Sequence, residues 1–172
     1  MVRKCKGFTL VEIIIVVALV AIIGVVAGSL LVTIFKSYNQ EKSRTAIQVS
    51  GQRIMDIFKN QVRLSRNIVA DPGGKSLVLT YSDASTKTFE IVSDAVSSTC
   101  NGYISFDGPP ISSIDSLNGV NIDYGNSYFS AVGGVAFMHL EIANACDLPD
   151  KAGYNESMVF EIEVKPRYSY SQ

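Results

Sequence analysis

The chain has 172 residues, with 15 basic and 16 acidic side chains and a formal charge of −1, room for one modest domain beside a membrane segment. No long basic stripe is present, which excludes strong nonspecific nucleic-acid binding and leaves at most weak or localised contact. The charge is uneven: Arg3, Lys4 and Lys6 precede an apolar run, and beyond residue 7 only 12 basic residues face 16 acidic ones.

The first element in chain order is that apolar run. From Phe8 to Phe35 the only charge is Glu12. As a helix these residues span about 42 Å, more than the ~30 Å hydrocarbon core of a bilayer. The run is too long for a secretory h-region. Ala27-Gly28-Ser29 imitates a signal-peptidase site, yet the apolar run continues through Leu30, Leu31 and Val32. A glutamate inside such a helix costs roughly 2.5–3.5 kcal/mol near mid-bilayer and less toward the interface. A plain anchor would carry leucine there, so Glu12 needs a reason. Basic residues do not orient the span, because Lys36, Lys42, Arg44 and Arg53 follow it as Arg3, Lys4 and Lys6 precede it.

The second element runs from Lys36 to about Asn67, with residues 36–70 taken as the amphipathic half of one helix. Ile47, Ile54, Ile57, Phe58, Leu64 and Ile68 fall at helical spacings, and polar residues such as Lys42, Gln52, Arg53, Asp56 and Arg63 fill most of the rest. With residues 8–35 this makes a helix of about 60 residues, or ~90 Å. The apolar stripe is expected to pack on the chain's own C-terminal domain rather than on a partner helix. Asp71-Pro72-Gly73-Gly74 is expected to end the helix.

Beyond it, in residues 71–172, the period becomes two. Strands are predicted at Ser76–Tyr81, Lys87–Val92, Gly102–Phe106, Val120–Tyr124, Gly134–Ala143 and Ser157–Lys165. In the fifth, Ala136, Met138, Leu140 and Ile142 share one face, and Val135, Phe137, His139 and Glu141 the other. In the last, Met158, Phe160, Ile162 and Val164 oppose Val159, Glu161 and Glu163. Half-buried strands of this kind predict an α+β fold, an antiparallel sheet with one face laid on the helix.

The chemistry-bearing residues are few. Gly74-Lys75-Ser76 ends like a P-loop, but position 69 is Val69 and the segment leaves a helix to enter a strand, so it reads as a turn. His139 is the only histidine, expected beside Glu141 on the polar strand face. No nucleophile setting accompanies it, so no catalytic residue, cofactor or metal set is assigned. Asp147, Asp150, Asn155 and Glu156 offer oxygen ligands for calcium without EF-hand spacing, and a solvated loop is the reading preferred. Asn155-Glu156-Ser157 matches the glycosylation sequon, a pattern with many chance matches. Tyr168 and Tyr170 are tail residues or an exposed contact strip. Cys100 and Cys146 form an even pair if this part is exported. A bridge would close a loop of about 47 residues and contribute about 4 kcal/mol; two separate buried thiols are the alternative.

The N-terminal segment resembles the class III signal of type IV pilins and pseudopilins. Residues 1–7 match its short basic leader, Gly7 precedes the scissile bond, Phe8 is the mature N-terminus, and Thr9-Leu10-Val11-Glu12 carries the signature with Glu12 fifth in the mature chain. The resemblance covers roughly residues 1–35. It implies cleavage after Gly7 and methylation of Phe8 by a membrane aspartyl prepilin peptidase on the cytoplasmic side, which would leave residues 36–172 outside and remove Cys5. It also implies other pilin or pseudopilin subunits, an inner-membrane assembly platform and, before assembly, membrane lipid as partners. Glu12 would then neutralise the Phe8 amine of a neighbouring subunit and set register, so that Glu12→Leu leaves insertion and processing intact but impairs assembly. Gln52-Arg53-Ile54-Met55-Asp56-Ile57-Phe58 with Val62-Arg63, and the ending Val164-Lys165-Pro166-Arg167, resemble W-type minor pilins and J-type pseudopilins. The helix lacks the proline that kinks many pilins; Gly24 and Gly28 are the candidate bending points. The expected function is a minor-pilin subunit of a filament. The alternatives are a pseudopilin of type II secretion or DNA uptake, a single-span anchored binding domain, and, third, an enzyme in the sheet domain.

Overall fold

The computed structural model describes residues 9–96, 101–115, 119–145 and 156–167. Among these, one helix, α1 (Leu10–Leu64), precedes eight strands: β1 (Asn67–Ala70), β2 (Ser76–Thr80), β3 (Thr86–Val92), β4 (Tyr103–Phe106), β5 (Val120–Ile122), β6 (Tyr128–Val132), β7 (Val135–Asn144) and β8 (Ser157–Val164). The chain divides into two units, residues 1–41 and 42–172.

In the first unit every described side chain from Leu10 onward is exposed, and the stretch is long and apolar enough to cross a membrane. A helix satisfies its own backbone groups, which is what lipid demands. The two hydroxyls of its apolar run, residues 10–35, are satisfied the same way: Ser29 Oγ donates to Val26 O at 2.8 Å and Thr33 Oγ1 to Ser29 O at 3.0 Å. The helix continues through Gly24 and Gly28 without interruption.

In the second unit the helix buries Ile47, Gly51, Ile54, Phe58 and Val62, one stripe at three- and four-residue spacing. The helix ends at Leu64, short of the expected Asn67–Ala70. Ser65 is buried and its hydroxyl turns back onto Val62 O at 2.7 Å, and Arg66 N already donates to Thr80 O at 2.7 Å. The β-branched pair Ile68-Val69 then pairs with Leu79 and Val78 as β1. Leu64, placed in the stripe by spacing, is exposed, and Ile68 reaches the core from a strand. Asp71-Pro72-Gly73-Gly74 is therefore the β1–β2 turn. Gly74 N donates to Asp71 O at 2.8 Å, and Gly74 takes a left-handed φ of 68°.

The strands are antiparallel, as expected, but form two four-stranded sheets rather than one. The first is a meander, β1-β2-β3-β4. Pro109 and Pro110 follow β4 and lack the N–H groups a continuing ladder would need. The second centres on β7, which pairs with β8 from Ala136 to Ala143 and, on its other edge, with β6 and then β5. The two sheets and the helix share one core. Phe58 of α1 lies 5.3 Å from the ring of Phe89 in the first sheet and 6.0 Å from that of Phe129 in the second, so one helical side chain joins both.

Strand β6 was not expected from the sequence. Its turn into β7 is Gly133-Gly134, with φ 60° and 75°, between the paired residues Val132 and Val135. Positive φ at both positions of a two-residue loop is the hairpin geometry that glycine permits.

Candidate functional site

The start of α1 carries the residue the sequence singled out. Glu12 lies in the first helical turn, exposed among exposed apolar neighbours. Its carboxylate accepts from the backbone N–H of Thr9 at 3.2 Å and from the Thr9 hydroxyl at 3.1 Å, while Glu12 N donates to Thr9 Oγ1 at 3.3 Å. Thr-x-x-Glu is a capping box, in which each side chain satisfies a backbone donor that the helix leaves without an intrahelical partner. The acid also faces the positive end of the helix dipole. Both effects reduce the cost of a carboxylate at this place. Both bonds to Thr9 use Oε2; among the described residues Oε1 has no partner. Glu12 thus has one oxygen committed to its own helix and one open to another group. The Thr9-x-x-Glu12 spacing is that of a capping box and is present in the sequence, although the resemblance to pilins assigns Glu12 only an intersubunit role.

Gly7 and Phe8, the expected cleavage and methylation residues, lie outside the described residues, as do Cys100, Cys146, Asp147, Asp150, Asn155, Tyr168 and Tyr170. Glu156 is described, and Arg44 Nε lies 3.2 Å from its Oε2, with the Arg44 side chain 54% exposed and that of Glu156 26% exposed. Among the described residues no group of three or more metal-type ligands occurs.

On the second sheet, His139 pairs with Glu161 of β8 rather than with Glu141: Nδ1 and Oε1 are 2.7 Å apart. Residues two apart on one strand share a face but sit about 6.6 Å apart, whereas cross-strand neighbours are adjacent, and His139 is in register with Glu161. Glu141 instead accepts from Asn126 Nδ2 at 2.9 Å. Among the described residues no nucleophile bonds to His139.

Gly74-Lys75-Ser76 is a turn entering β2, and Lys75 acts as a clamp. Its ammonium donates to Tyr124 O and, at 2.6 Å, to Ser127 O, and it lies 4.5 Å from the Tyr124 ring centroid. One cation thus ties the β5–β6 loop to the first sheet, a contact that spacing gives no hint of. Tyr81 donates to Gln61 Oε1 at 2.7 Å. Burial, and secondarily the Asp107 carboxylate, raise its hydroxyl above the usual phenol value.

The geometry therefore defines an α+β, pilin-like architecture: one long N-terminal helix whose later part packs against antiparallel sheets. Residues 2–28 match the model of the prokaryotic N-terminal methylation motif, the class III signal of type IV pilins. The motif supports a type IV pilin-like protein that a prepilin peptidase processes, with other pilin subunits as its class of partner and an N-terminal apolar helix that fits a membrane anchor. No curated protein and no solved structure matches the chain.

Proposed function

We propose that this chain is a minor-pilin subunit, anchored in the cytoplasmic membrane by residues 8–35 with its leader inside, and drawn from there into an extracytoplasmic filament. The observation that carries the reading is the methylation motif over residues 2–28, continuous with a helix whose first 33 described positions, Leu10 to Lys42, are exposed. An apolar surface of that extent needs a cover. Lipid covers it before assembly and the helices of other subunits cover it afterward. Cleavage falls between Gly7 and Phe8, Phe8 is methylated, and Oε1 of Glu12 meets the amine of a neighbouring Phe8. The sheet domain forms the outer surface, its role is structural rather than enzymatic, and Cys100 and Cys146 are bridged once exported. An inner-membrane platform supplies the assembly step.

The test is fractionation of sheared surface filaments from cells that make the chain. Recovery of the processed chain among filament subunits is expected. A processed chain found only in the membrane fraction, with piliation unchanged on deletion but secretion or DNA uptake lost, would assign it to a pseudopilin instead.

A further inference from the structure

The outer face of the second sheet has charge that the fold uses only in part: His139 holds Glu161 and Asn126 donates to Glu141, while Glu163 has no such partner among the described residues. On β7, Ala136, Met138, Leu140 and Ile142 are fully buried, so Phe137, His139 and Glu141 point the other way. Register places Glu163 beside Phe137, and Tyr128 and Glu161 on either side of His139. Tyr128, 42% exposed, stacks on His139 with centroids 5.0 Å apart and leans on Phe137 at 6.0 Å. An aromatic strip thus runs along β6 and β7 with glutamates beside it. Glu163 is exposed and makes no ion pair or hydrogen bond among the described residues. Aromatic anchors beside unneutralised charge are features of a recognition surface rather than of a merely solvated one.

The outward face of α1 in the same unit has the opposite charge. Between Lys42 and Leu64 there are five basic residues and one acid, Asp56. Arg44 is paired with Glu156, but Arg53, Lys59 and Arg63 form no ion pair among the described residues. Arg53 and Arg63 are exposed and Lys59 is half-buried. Lys59 and Arg63, four apart on a helix, place their Cβ atoms about 5–6 Å apart. Glu161 and Glu163, two apart on a strand, are spaced by about 6.6 Å. The two ladders match in spacing and oppose in sign.

We propose that the aromatic, acidic face of the second sheet (Tyr128, Phe137, Glu161, Glu163) binds the basic face of α1 (Arg53, Lys59, Arg63) in a second copy of this chain. Arginine and lysine pair with carboxylates and also lie favourably over aromatic rings. The two faces are different surfaces of one molecule, so the contact is head-to-tail and propagates instead of closing as a two-fold dimer. Its biological setting rests on the filament reading; its physics does not.

The test is self-association of the full chain in neutral detergent, followed by sedimentation. Association that weakens as salt is raised is expected. The pairs Glu161→Lys/Glu163→Lys and Arg53→Glu/Arg63→Glu are each expected to weaken it about tenfold or more, because like charges then meet. The four positions are exposed, and near-UV circular dichroism checks that both variants fold. Mixing the two variants restores both contacts: the native Arg53 and Arg63 of one meet the native Glu161 and Glu163 of the other, and the introduced lysines meet the introduced glutamates. The mixture is therefore expected to associate into alternating chains where neither variant does alone. A wild-type chain that stays unassociated at about 1 mM, variants that associate like wild type, or a mixture that fails to pair would each overturn the proposal. The assay needs no processed N-terminus. An intact Met1 on the chain from its native cell, with the detergent association unchanged, therefore counts against the filament reading alone. Association indifferent to the reversals, with a processed N-terminus in the cell, counts against this contact alone.

Discussion

Glu12 has two roles that a leucine substitution removes together, and three variants separate them. In the structure its Oε2 closes a capping box with Thr9; in the proposed filament its charge meets a neighbour's amine. Glu12→Gln keeps the box, because glutamine serves in it as glutamate does, and removes the charge. Thr9→Ala keeps the charge and opens the box, at a cost of about 1 kcal/mol, within the range of N-cap losses. An amine left without its partner in a buried interface costs about 3–5 kcal/mol, or roughly 10²–10⁴ in the equilibrium for each contact. Glu12→Gln should therefore insert and be processed normally but be depleted in sheared filaments. Thr9→Ala should assemble with a modest loss, and Glu12→Leu should behave like Glu12→Gln. The assay is quantitative immunoblotting of filament and membrane fractions. Wild-type incorporation of Glu12→Gln together with failure of Thr9→Ala would refute the intersubunit role and leave Glu12 a capping residue.

Three further outcomes are expected of the second unit. A Cβ at Gly51 would lie 2.3 Å from Cζ of Phe160, well inside carbon contact distance. Gly51→Ala should destabilise by about 1–2 kcal/mol, overpacking outweighing the gain of about 1 kcal/mol in helix propensity. In a Phe160→Leu background the same change should turn neutral or stabilising, as read by urea unfolding with tyrosine fluorescence. Lys75→Met strands two carbonyls, Tyr124 O and Ser127 O, and should cost about 1–3 kcal/mol in the same unfolding assay. The hydroxyl of Tyr81 is raised in the folded state, so the folded protein holds that proton more tightly than the unfolded chain. Its contribution is fully present below the ordinary phenol value and is lost as pH rises from there through the folded value. Alkaline unfolding curves should show this drop, and Tyr81→Phe should remove it.

Period and composition made most of the fold legible. The Ile47, Ile54 and Phe58 part of the buried stripe of α1 and the buried face of β7 appear as read, because each is a simple periodicity against one core. Gly51 and Val62 complete the stripe in place of Leu64 and Ile68. The end of the helix was misplaced because Leu64 and Ile68 continue the helical spacing while the backbone turns at Ser65, where a local side-chain bond decides. Strand β6 was missed because Ser130 and Ala131 dilute its β signal, although Gly133-Gly134 marks its hairpin. The division into two sheets depends on which strands pair at long range, and alternation within a strand carries no information on that. At the site, Glu12 was legible from its cost alone and the capping box from its spacing. The Lys75 clamp and the His139–Glu161 pair depend on register, which only the folded chain displays.

Mass spectrometry of the N-terminus of the chain from its native cell tests the central claim most directly. The account predicts a chain that begins at Phe8, lacks residues 1–7 and carries a methyl group on its terminal nitrogen. An intact Met1 on the membrane-embedded chain would contradict it and leave a plain anchor.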